Sequence, residues 1–447
     1  MPPGAPGKIG RLERLITLLL FVHFILDLFS PWGIYMDPNG ASGGADANGP
    51  SFVSQALMAS EFLCILMLCT VRWRSTVRAL GSALPILLLS LWIFLSARWA
   101  VIPAATSFSN AFHFFVVVLF ACYMAGRYGA DEFGDLLSKG VAIVAAASLC
   151  VMLIAPHLGH NGVAGENESA WRGALVTKNA LGAVMSFGVV VCAYVSLARR
   201  SLFAGLTFFA CASLLVMSHS MTAVLAAAVG LTALAMGAAL QIRQKAPLLR
   251  WSAYAILMSL TLAIVLWPLG VFEDVVNHLP GAFGRSGNLT GRTDVWRVVW
   301  AEIQQKPLTG YGYGFWAKAT VIRTNIWFYV GWETPHAHST WLDAGLQLGF
   351  VGMALTALTS LIALGRAMRL MLVGSNRAVL LFSAILFDCM TQSVSETVLF
   401  TPGIGGLFWW AVSYVYIASM IRERVANRNA RPEPRFARPA RPSVSLG

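Results

Sequence analysis

The run Gly310-Tyr311-Gly312-Tyr313-Gly314-Phe315-Trp316 lies within a long polar segment, residues 272–340, of an otherwise apolar chain. The same segment ends in Pro335-His336-Ala337-His338-Ser339-Thr340. Apolar stretches long enough to cross a bilayer flank it on both sides. We therefore expect one long, partly helical loop outside the membrane, carried by a scaffold of membrane-spanning helices, and we expect this loop to form most of a functional site.

The composition of the chain excludes an ordinary soluble protein. Of its 447 residues, 57% are hydrophobic and 12% are charged, with a mean hydropathy of +0.67, whereas soluble domains carry roughly 25% charged residues. The formal net charge is +12, but the basic residues fall in short clusters between apolar runs. Such clusters indicate membrane topology and no nucleic-acid partner. All seven cysteines lie in apolar runs, so we expect no disulfide framework and no Cys metal site in the exposed segments.

The expected fold class is an all-α polytopic membrane protein with about twelve transmembrane helices, because apolar runs of roughly 17 to 23 residues recur along the chain. The predicted spans lie near residues 12–29, 53–70, 78–96, 108–126, 138–156, 180–198, 201–217, 219–240, 251–271, 340–362, 376–396 and 403–421. The first span follows basic residues, as a secretory signal does, but the many later spans and the lack of a small-residue cleavage site favour a retained anchor.

Four regions follow from this layout. Residues 1–271 hold nine helices and an outer segment near 157–179, residues 272–339 form the long loop, and residues 340–421 hold three more helices. Residues 422–447, rich in Arg, Pro and Ala, form a basic tail that we expect to be disordered. Most of the 32 Lys and Arg residues fall on one side if the N-terminus is cytoplasmic. The positive-inside rule therefore predicts that both termini are cytoplasmic and that the long loop lies outside.

The first outer segment offers two cations to an anionic ligand. Arg172 and Lys178 stand at the mouth of a predicted span. An arginine fork can bind a phosphate through two donors, and a lysine supplies a mobile point charge. The alternative is a structural role, in which these cations pair with Glu166 and Glu168 or with lipid phosphates.

A helix is predicted in the long loop from Thr290 or Thr293 to about Gln305. Arg292 stands at its start, where a cation is badly placed in the helix dipole. An anion held jointly by the guanidinium and the helix amides would explain that position. A salt bridge with Asp294 or another neighbouring carboxylate is the alternative.

The aromatic–glycine run could offer ring faces to a ligand. Tyr311, Tyr313 and Trp316 stand among alternating glycines, and such faces suit sugar rings. Aromatic residues are also common at a membrane interface without any ligand, so both interpretations remain open.

His336 and His338 share a face if the segment that leads into the tenth span is extended. A neutral imidazole titrates near pH 6.5 and could accept a proton from a hydroxyl as a general base. A pair of this spacing can also bind a metal, but no third ligand is obvious apart from Glu333 and Asp343. We therefore predict no metal, and a hydrogen-bonded interfacial histidine is the structural alternative.

Carboxylates inside predicted spans need an explanation, because an ionised group there is costly unless it faces the bundle interior or an aqueous cavity. Four such residues are Asp27, Glu61, Asp388 and Glu396. Asp27 and Glu396 stand near the outer ends and are secondary candidates for the site. Glu61 and Asp388 could equally form helix-to-helix hydrogen bonds.

Taken in order, the outer motifs resemble the O-antigen ligase and polymerase superfamily. They are Trp171-Arg172-Gly173 with Lys178-Asn179, Ser218-His219-Ser220-Met221-Thr222, Gly291-Arg292 with Trp296, Pro307-Leu308-Thr309-Gly310-Tyr311-Gly312, and His336-Ala337-His338 with Leu342, Gly349 and Gly352. Each motif alone is weak. Their shared order over about residues 160–355, together with the twelve-span layout, is more specific.

The resemblance implies a glycosyltransferase of the bacterial inner membrane that uses a glycan on undecaprenyl diphosphate, on the periplasmic side and without a metal or other cofactor. By motif, Arg172 and Arg292 would hold the diphosphate and His338 would be the base. The substrate-binding candidates are Lys178, His336, Tyr311, Tyr313, Trp316 and Glu396. Partners would be the lipid-linked donor, an acceptor glycan or lipid and membrane lipids, with a chain-length regulator and a flippase as further candidates.

The motif wording is closer to exopolysaccharide polymerases, which join repeat units on the lipid carrier, than to ligases, which pass a glycan to lipid A-core. We therefore predict a polymerase, with an O-antigen ligase as the alternative. A transporter or flippase is the rival class. Transporters often show internal repeats and helices interrupted near the midplane, whereas the informative residues here gather in outer segments.

Overall fold

A computed structural model describes residues 8–26, 52–160, 169–242, 292–318, 320–373, 377–400 and 405–429, together with residues 252 and 256. Within these residues the regular structure is helical, apart from one isolated bridge between His160 and Trp171. Asp27, residues 272–291, residues 430–447 and most of the predicted span 251–271 lie outside the described residues. The expected all-α class is confirmed for the described part of the chain.

The helices follow one another with short connections wherever the chain between them is described. They are α1 (Lys8–Leu26), α2 (Phe52–Val71), α3 (Trp73–Leu80), α4 (Leu84–Ser96), α5 (Ala104–Arg127), α6 (Ala130–Ile154), α7 (Pro156–Gly159), α8 (Lys178–Arg199), α9 (Leu202–Met217), α10 (Met221–Ile242), α11 (Arg292–Gln305), α12 (Val321–Val330), α13 (Thr340–Val373), α14 (Ala378–Ser395) and α15 (Gly406–Asn429). Among described residues, six helices are long and apolar enough to cross a membrane, or seven if α3 and α4 form one bent span. Twelve crossings therefore remain a prediction.

The predicted span 78–96 is not one straight helix. α3 and α4 meet at an angle of 82°, and the break falls at residues 81–83. Pro85 stands in the first turn of α4, where a missing N–H costs no intrahelical hydrogen bond. The hydropathy of the stretch could not reveal this bend, because hydropathy records composition and not direction.

α14 lies at the centre of the bundle, and every one of its residues is buried. It packs against α8, α10, α13 and α15. Asp388 of α14 accepts hydrogen bonds from Ser186 Oγ of α8 and from Gln392 Nε2, both at 2.5 Å. Asp388 thus joins two helices, and Glu61 of α2 similarly faces His23 of α1 at 3.4 Å.

α13 is broken at Gly349, whose φ of 68° and ψ of −173° are not helical. The break leaves two carbonyls of α13 without their helical partners. The carbonyl of Leu346 accepts from the Tyr311 N–H at 2.9 Å, and that of Gln347 accepts from the Gly312 N–H at 2.8 Å. The aromatic–glycine run therefore supplies backbone hydrogen bonds that a broken helix in apolar surroundings needs.

Close packing explains the glycines of this junction. A Cβ at Gly349 would lie 2.3 Å from the backbone carbonyl of Leu308, and one at Gly312 would lie 2.4 Å from Cα of Ala100. Both glycines also have positive φ, which a residue with a side chain adopts only at a cost. The aromatic–glycine run thus packs closely against α13 and is hydrogen-bonded to its backbone.

Candidate functional site

Glu396, directly after α14, is the meeting point of three distant segments. The Arg292 guanidinium donates to Glu396 Oε1 from Nη2 at 2.5 Å and to the Ser395 carbonyl from Nη1 at 2.8 Å. Nδ1 of His338 lies 3.6 Å from Glu396 Oε2. The side chains are only 13% (Arg292), 12% (His338) and 6% (Glu396) exposed. A guanidinium, a carboxylate and an imidazole therefore share one largely buried site.

α11 brings Arg292 to this site. Its apolar face, Val295, Val299 and Ile303, is buried, as the helical spacing requires. On the same helix, the Trp296 indole donates to the carbonyls of Ala337 at 3.0 Å and His338 at 3.3 Å. The helix that carries Arg292 is thereby tied to the segment that carries His338.

Thr340 holds Glu396 in place. Its hydroxyl donates to the Glu396 carbonyl at 3.0 Å and accepts from the Val398 N–H at 3.0 Å. Because Thr340 is the first residue of α13, the loop after α14 is fixed to the start of α13, two residues after His338. The backbone on both sides of the carboxylate–imidazole pair is therefore constrained.

His338 has an unusual backbone and an unsatisfied ring. Its φ is 50°, an uncommon conformation for a residue other than glycine, and such strain tends to occur at functional sites. The backbone N–H of His338 donates to Nδ1 of His336 at 3.2 Å, and the centroids of the two imidazole rings are 4.2 Å apart. Both ring nitrogens of His338 are buried without a hydrogen-bond partner among the described residues. Unpaired buried polar atoms are costly, so the imidazole of His338 has hydrogen-bonding capacity that the described residues do not use.

The charge states around His338 are set by burial and by neighbouring charges. Burial raises the pKa of Glu396, but Arg292 and His338 outweigh it and bring that pKa down to about 2. Burial lowers the pKa of His336 to about 3, and neighbouring His338 acts in the same direction. At neutral pH the site therefore holds an ionised Glu396 and an uncharged His336.

His336, His338 and Glu396 could together hold a metal ion, because one ligand atom from each lies within 4.8 Å of the others. The sequence did not suggest Glu396 as the third ligand, since it belongs to a different helix. Glu396 already accepts from Arg292, and His336 Nδ1 already accepts a backbone N–H. A divalent cation would stand beside a guanidinium and be repelled by it. The occupied donors and the adjacent guanidinium therefore disfavour a metal ion here, and the absence of a metal remains a prediction.

Arg172 lies at the same end of the bundle but belongs to a neighbouring segment. Its Nε donates to the Leu158 carbonyl at 2.7 Å, and the hydrogen bonds described for it stay within that segment. The adjacent Trp171 N–H donates to the Met217 carbonyl at 2.9 Å, beside the turn that leads to Thr222. Thr222 Oγ1 is 2.9 Å from Ser395 Oγ, so a series of contacts connects this segment to the residue that binds Arg292.

The remaining predicted residues have different surroundings. Lys178 is the first residue of α8, in the segment that follows Arg172. Tyr311 and Tyr313 are 3% and 6% exposed, so their rings are packed inside the protein and not displayed on a surface. Trp316 donates from Nε1 to Asp343 Oδ1 at 2.6 Å. The aromatic–glycine run therefore belongs to the packed interior around α13.

Trp332 is a residue that sequence reasoning missed. Its ring centroid lies 5.7 Å from that of His338, and the residue is 38% exposed. It offers an accessible aromatic face beside the unsatisfied imidazole, which is the arrangement expected of Tyr311 and Tyr313. The only hint in the sequence was an aromatic residue six positions before His338 in a polar segment. The residues around Trp332 form no motif that would have singled it out.

The fold and the site define a multi-pass helical membrane protein with a buried carboxylate–imidazole–guanidinium site at one end of the bundle. Residues 206–357 match the family described as O-antigen ligase. The exopolysaccharide production protein ExoQ of Rhizobium meliloti (strain 1021) is 30% identical over 194 residues, which cover 41% of this chain and 43% of that protein. The aligned part is thus less than half of that relative. Both matches support an O-antigen ligase and polymerase-like superfamily for this chain and confirm the resemblance seen in its motifs.

Proposed function

We propose that the chain is an inner-membrane glycosyltransferase that moves a glycan from undecaprenyl diphosphate to an acceptor sugar hydroxyl on the periplasmic side. The observation that carries this proposal is the shared contact of Arg292 and His338 with Glu396. It brings a cation suited to phosphate and a base suited to a hydroxyl into one buried site.

His338 is the proposed general base. Nδ1 faces Glu396, which leaves Nε2 to take the proton of the acceptor hydroxyl. The acceptor oxygen then forms a bond to the anomeric carbon of the donor. The bond between that carbon and the phosphate oxygen breaks, and its electron pair leaves with the diphosphate. The Glu396 carboxylate stabilises the imidazolium so formed, and general-base assistance of this kind contributes roughly 10²- to 10⁴-fold in rate.

Arg292 is the proposed diphosphate ligand. Two of its five N–H donors bind Glu396 and Ser395, so the guanidinium is held in a defined orientation and keeps donors for a phosphate. Arg172, in the neighbouring segment, is proposed as the second cation. Fixed positive charge beside the leaving group stabilises the transition state, because the diphosphate gains charge as the glycosidic bond breaks.

Polymerisation of exopolysaccharide or O-antigen repeat units is the proposed reaction, with ligation to lipid A-core as the alternative. The name of the relative, an exopolysaccharide production protein, supports the former. Structural analysis of the glycan made by a deletion strain would distinguish them. Loss of chain elongation is expected for a polymerase, and a normal polymer that is no longer joined to lipid A-core would indicate a ligase.

Purified protein incubated with a lipid-diphosphate oligosaccharide tests the proposal. We expect a longer glycan and released carrier lipid, both lost in His338→Ala. Arg297→Ala is the matched control, because Arg297 is 79% exposed on the same helix as Arg292. Transfer of the lipid across a bilayer without any change in its bonds would instead identify a transporter. Activity unchanged by EDTA is expected, and its steep loss would assign His336, His338 and Glu396 to a metal.

A further inference from the structure

A second charged site lies at the end of the bundle opposite Glu396. Residues Val71, Arg72, Trp73, Arg74, Ser75 and Arg78 line a cavity of about 310 Å³, here called the basic pocket. α15 begins beside Val398, near Glu396, and its Arg422 donates to the Arg78 carbonyl at 2.9 Å. At 1.5 Å per residue, the helix separates these two ends by about 24 Å.

Within the described residues, the basic pocket carries positive charge that no carboxylate pairs with. Arg72 binds Glu13 through two donors, at 2.9 and 2.8 Å, and Glu13 also binds Arg127. Arg74 and Arg78 form no ion pair with any carboxylate in the part of the chain that the structure describes. Arg422, bound to a carbonyl, adds a further guanidinium beside them. The pocket therefore has an excess of arginine over carboxylate.

The position of α3 relates the basic pocket to a membrane surface. α3 makes an angle of 82° with the apolar helix α4, so a bilayer that α4 enters end-on would have α3 along its surface. Val71, Trp73 and Val77 are 57%, 59% and 54% exposed. Exposed apolar residues and a tryptophan beside arginines are typical of a helix that lies at the lipid–water interface.

We propose that the basic pocket binds the phosphate headgroup of an anionic phospholipid in the leaflet where α3 lies. Arginine forks match phosphate oxygens, and basic pockets beside membrane helices recognise anionic headgroups. The cavity is at the small end of the roughly 300–1,000 Å³ range of ligand clefts, which suits a headgroup. The acyl chains of the phospholipid would lie along Val71, Trp73 and Val77. The lipid would then fasten α3 to α15 through the contact between Arg78 and Arg422.

The experiment titrates the purified full chain, in neutral detergent, with phosphatidylglycerol or phosphatidylcholine, and measures Tm and lipid adducts by native mass spectrometry. We expect phosphatidylglycerol alone to raise Tm and to give retained adducts. Arg74→Gln with Arg78→Gln should weaken this binding roughly tenfold or more. The matched control, Arg200→Gln with Arg369→Gln, removes the same charge from exposed positions and should keep it.

Three outcomes of this titration would overturn the proposal. An equal loss in the control pair would mean diffuse charge attraction, and equal effects of the two lipids would mean no headgroup recognition. A full Tm shift with soluble glycerophosphoglycerol would mean a soluble ligand. A photoactivatable phosphatidylglycerol on the wild-type chain provides a test without variants, because its crosslinks should map to residues 71–78, and crosslinks confined to other segments would contradict the site.

Discussion

At the scale of single residues, Arg292 shows why charge alone does not describe this site. Its guanidinium binds a carboxylate and a carbonyl at once, which the single ammonium of lysine cannot reproduce with the same geometry. We expect Arg292→Lys to lower the transfer rate by about 10²-fold or more, with a normal elution profile in size-exclusion chromatography. Arg297→Lys, on the same helix, should keep full activity. Near-normal turnover of Arg292→Lys would contradict a diphosphate contact that depends on the fork.

Trp332 makes a separate residue-scale prediction. If its exposed face stacks on the acceptor sugar beside His338, Trp332→Ala should raise KM for the acceptor and change kcat less, because stacking binds ground state and transition state alike. Trp332→Phe should recover most of the affinity, since it keeps an aromatic face. Phe328→Ala, at an exposed aromatic of α12, is the control. An unchanged KM in Trp332→Ala would remove Trp332 from the acceptor site.

The protonation of His336 predicts how stability depends on pH. Burial lowers its pKa to about 3, while an unfolded histidine titrates near 6.5. On acidification the unfolded chain takes up this proton first, so the contribution of His336 is complete above about pH 6.5 and is lost as the pH falls towards 3. Glu396, with a pKa of about 2, loses its contribution only between about pH 4.5 and 2.

We therefore expect the fall in Tm between about pH 7.5 and pH 5 to be smaller in His336→Asn than in the wild type. Thermal melting in detergent at the two pH values measures this difference. His157→Asn, at an exposed histidine, should melt like the wild type at both. Equal slopes for His336→Asn and the wild type would mean that His336 can be protonated in the folded chain.

At the scale of elements, the break in α13 at Gly349 determines how the aromatic–glycine run packs against this helix. Gly349 allows the helix to break, and backbone N–H groups of the aromatic–glycine run donate to the carbonyls that the break leaves unpaired. Gly349→Ala would combine a left-handed φ with a Cβ only 2.3 Å from backbone. Gly331, with φ of 84°, ψ of 7° and nothing within 4 Å of its ideal Cβ, also has a positive φ, but it lies in the less restricted left-handed helical region and has no clash.

Gly331→Ala should therefore cost about 1–2 kcal/mol, the price of the left-handed conformation alone. Gly349→Ala should cost clearly more or prevent folding, because backbone must move to admit the methyl group. Fluorescence-detected size-exclusion chromatography after heating compares the two. Equal melting temperatures would show that α13 can relax at the break.

At the scale of the whole molecule, the site and the basic pocket lie at opposite ends of the bundle, and the charge pattern predicts which end faces the cytoplasm. In a background without the seven native cysteines, Glu333→Cys should react with a membrane-impermeant maleimide in intact spheroplasts. Arg200→Cys should react only after permeabilisation, because the positive-inside rule assigns it to the cytoplasm. The reverse pattern would place the site in the cytoplasm, where the proposed periplasmic reaction could not occur.

Local information explains what could be predicted from this sequence. The all-α class follows from hydropathy averaged over neighbouring residues, and helix α11 follows from the spacing of its apolar residues. The bend between α3 and α4 escaped prediction because Gly81, Ser82 and Ala83 barely change that average. The aromatic–glycine run was predicted to offer ring faces to a ligand, because composition does not show whether those rings are buried inside the protein.

The sequence by itself determined the helical membrane class, the resemblance to the O-antigen ligase and polymerase superfamily and the choice of Arg292 and His338 as candidates, since each depends on nearby residues or on motif order. Only the tertiary structure decided that Glu396 joins them, that Tyr311 and Tyr313 are buried, and that Trp332 stands beside the imidazole. The physical reason is that electrostatic and packing partners are selected by distance in space. Residues 292, 338 and 396 become neighbours only after α11, α13 and α14 have packed.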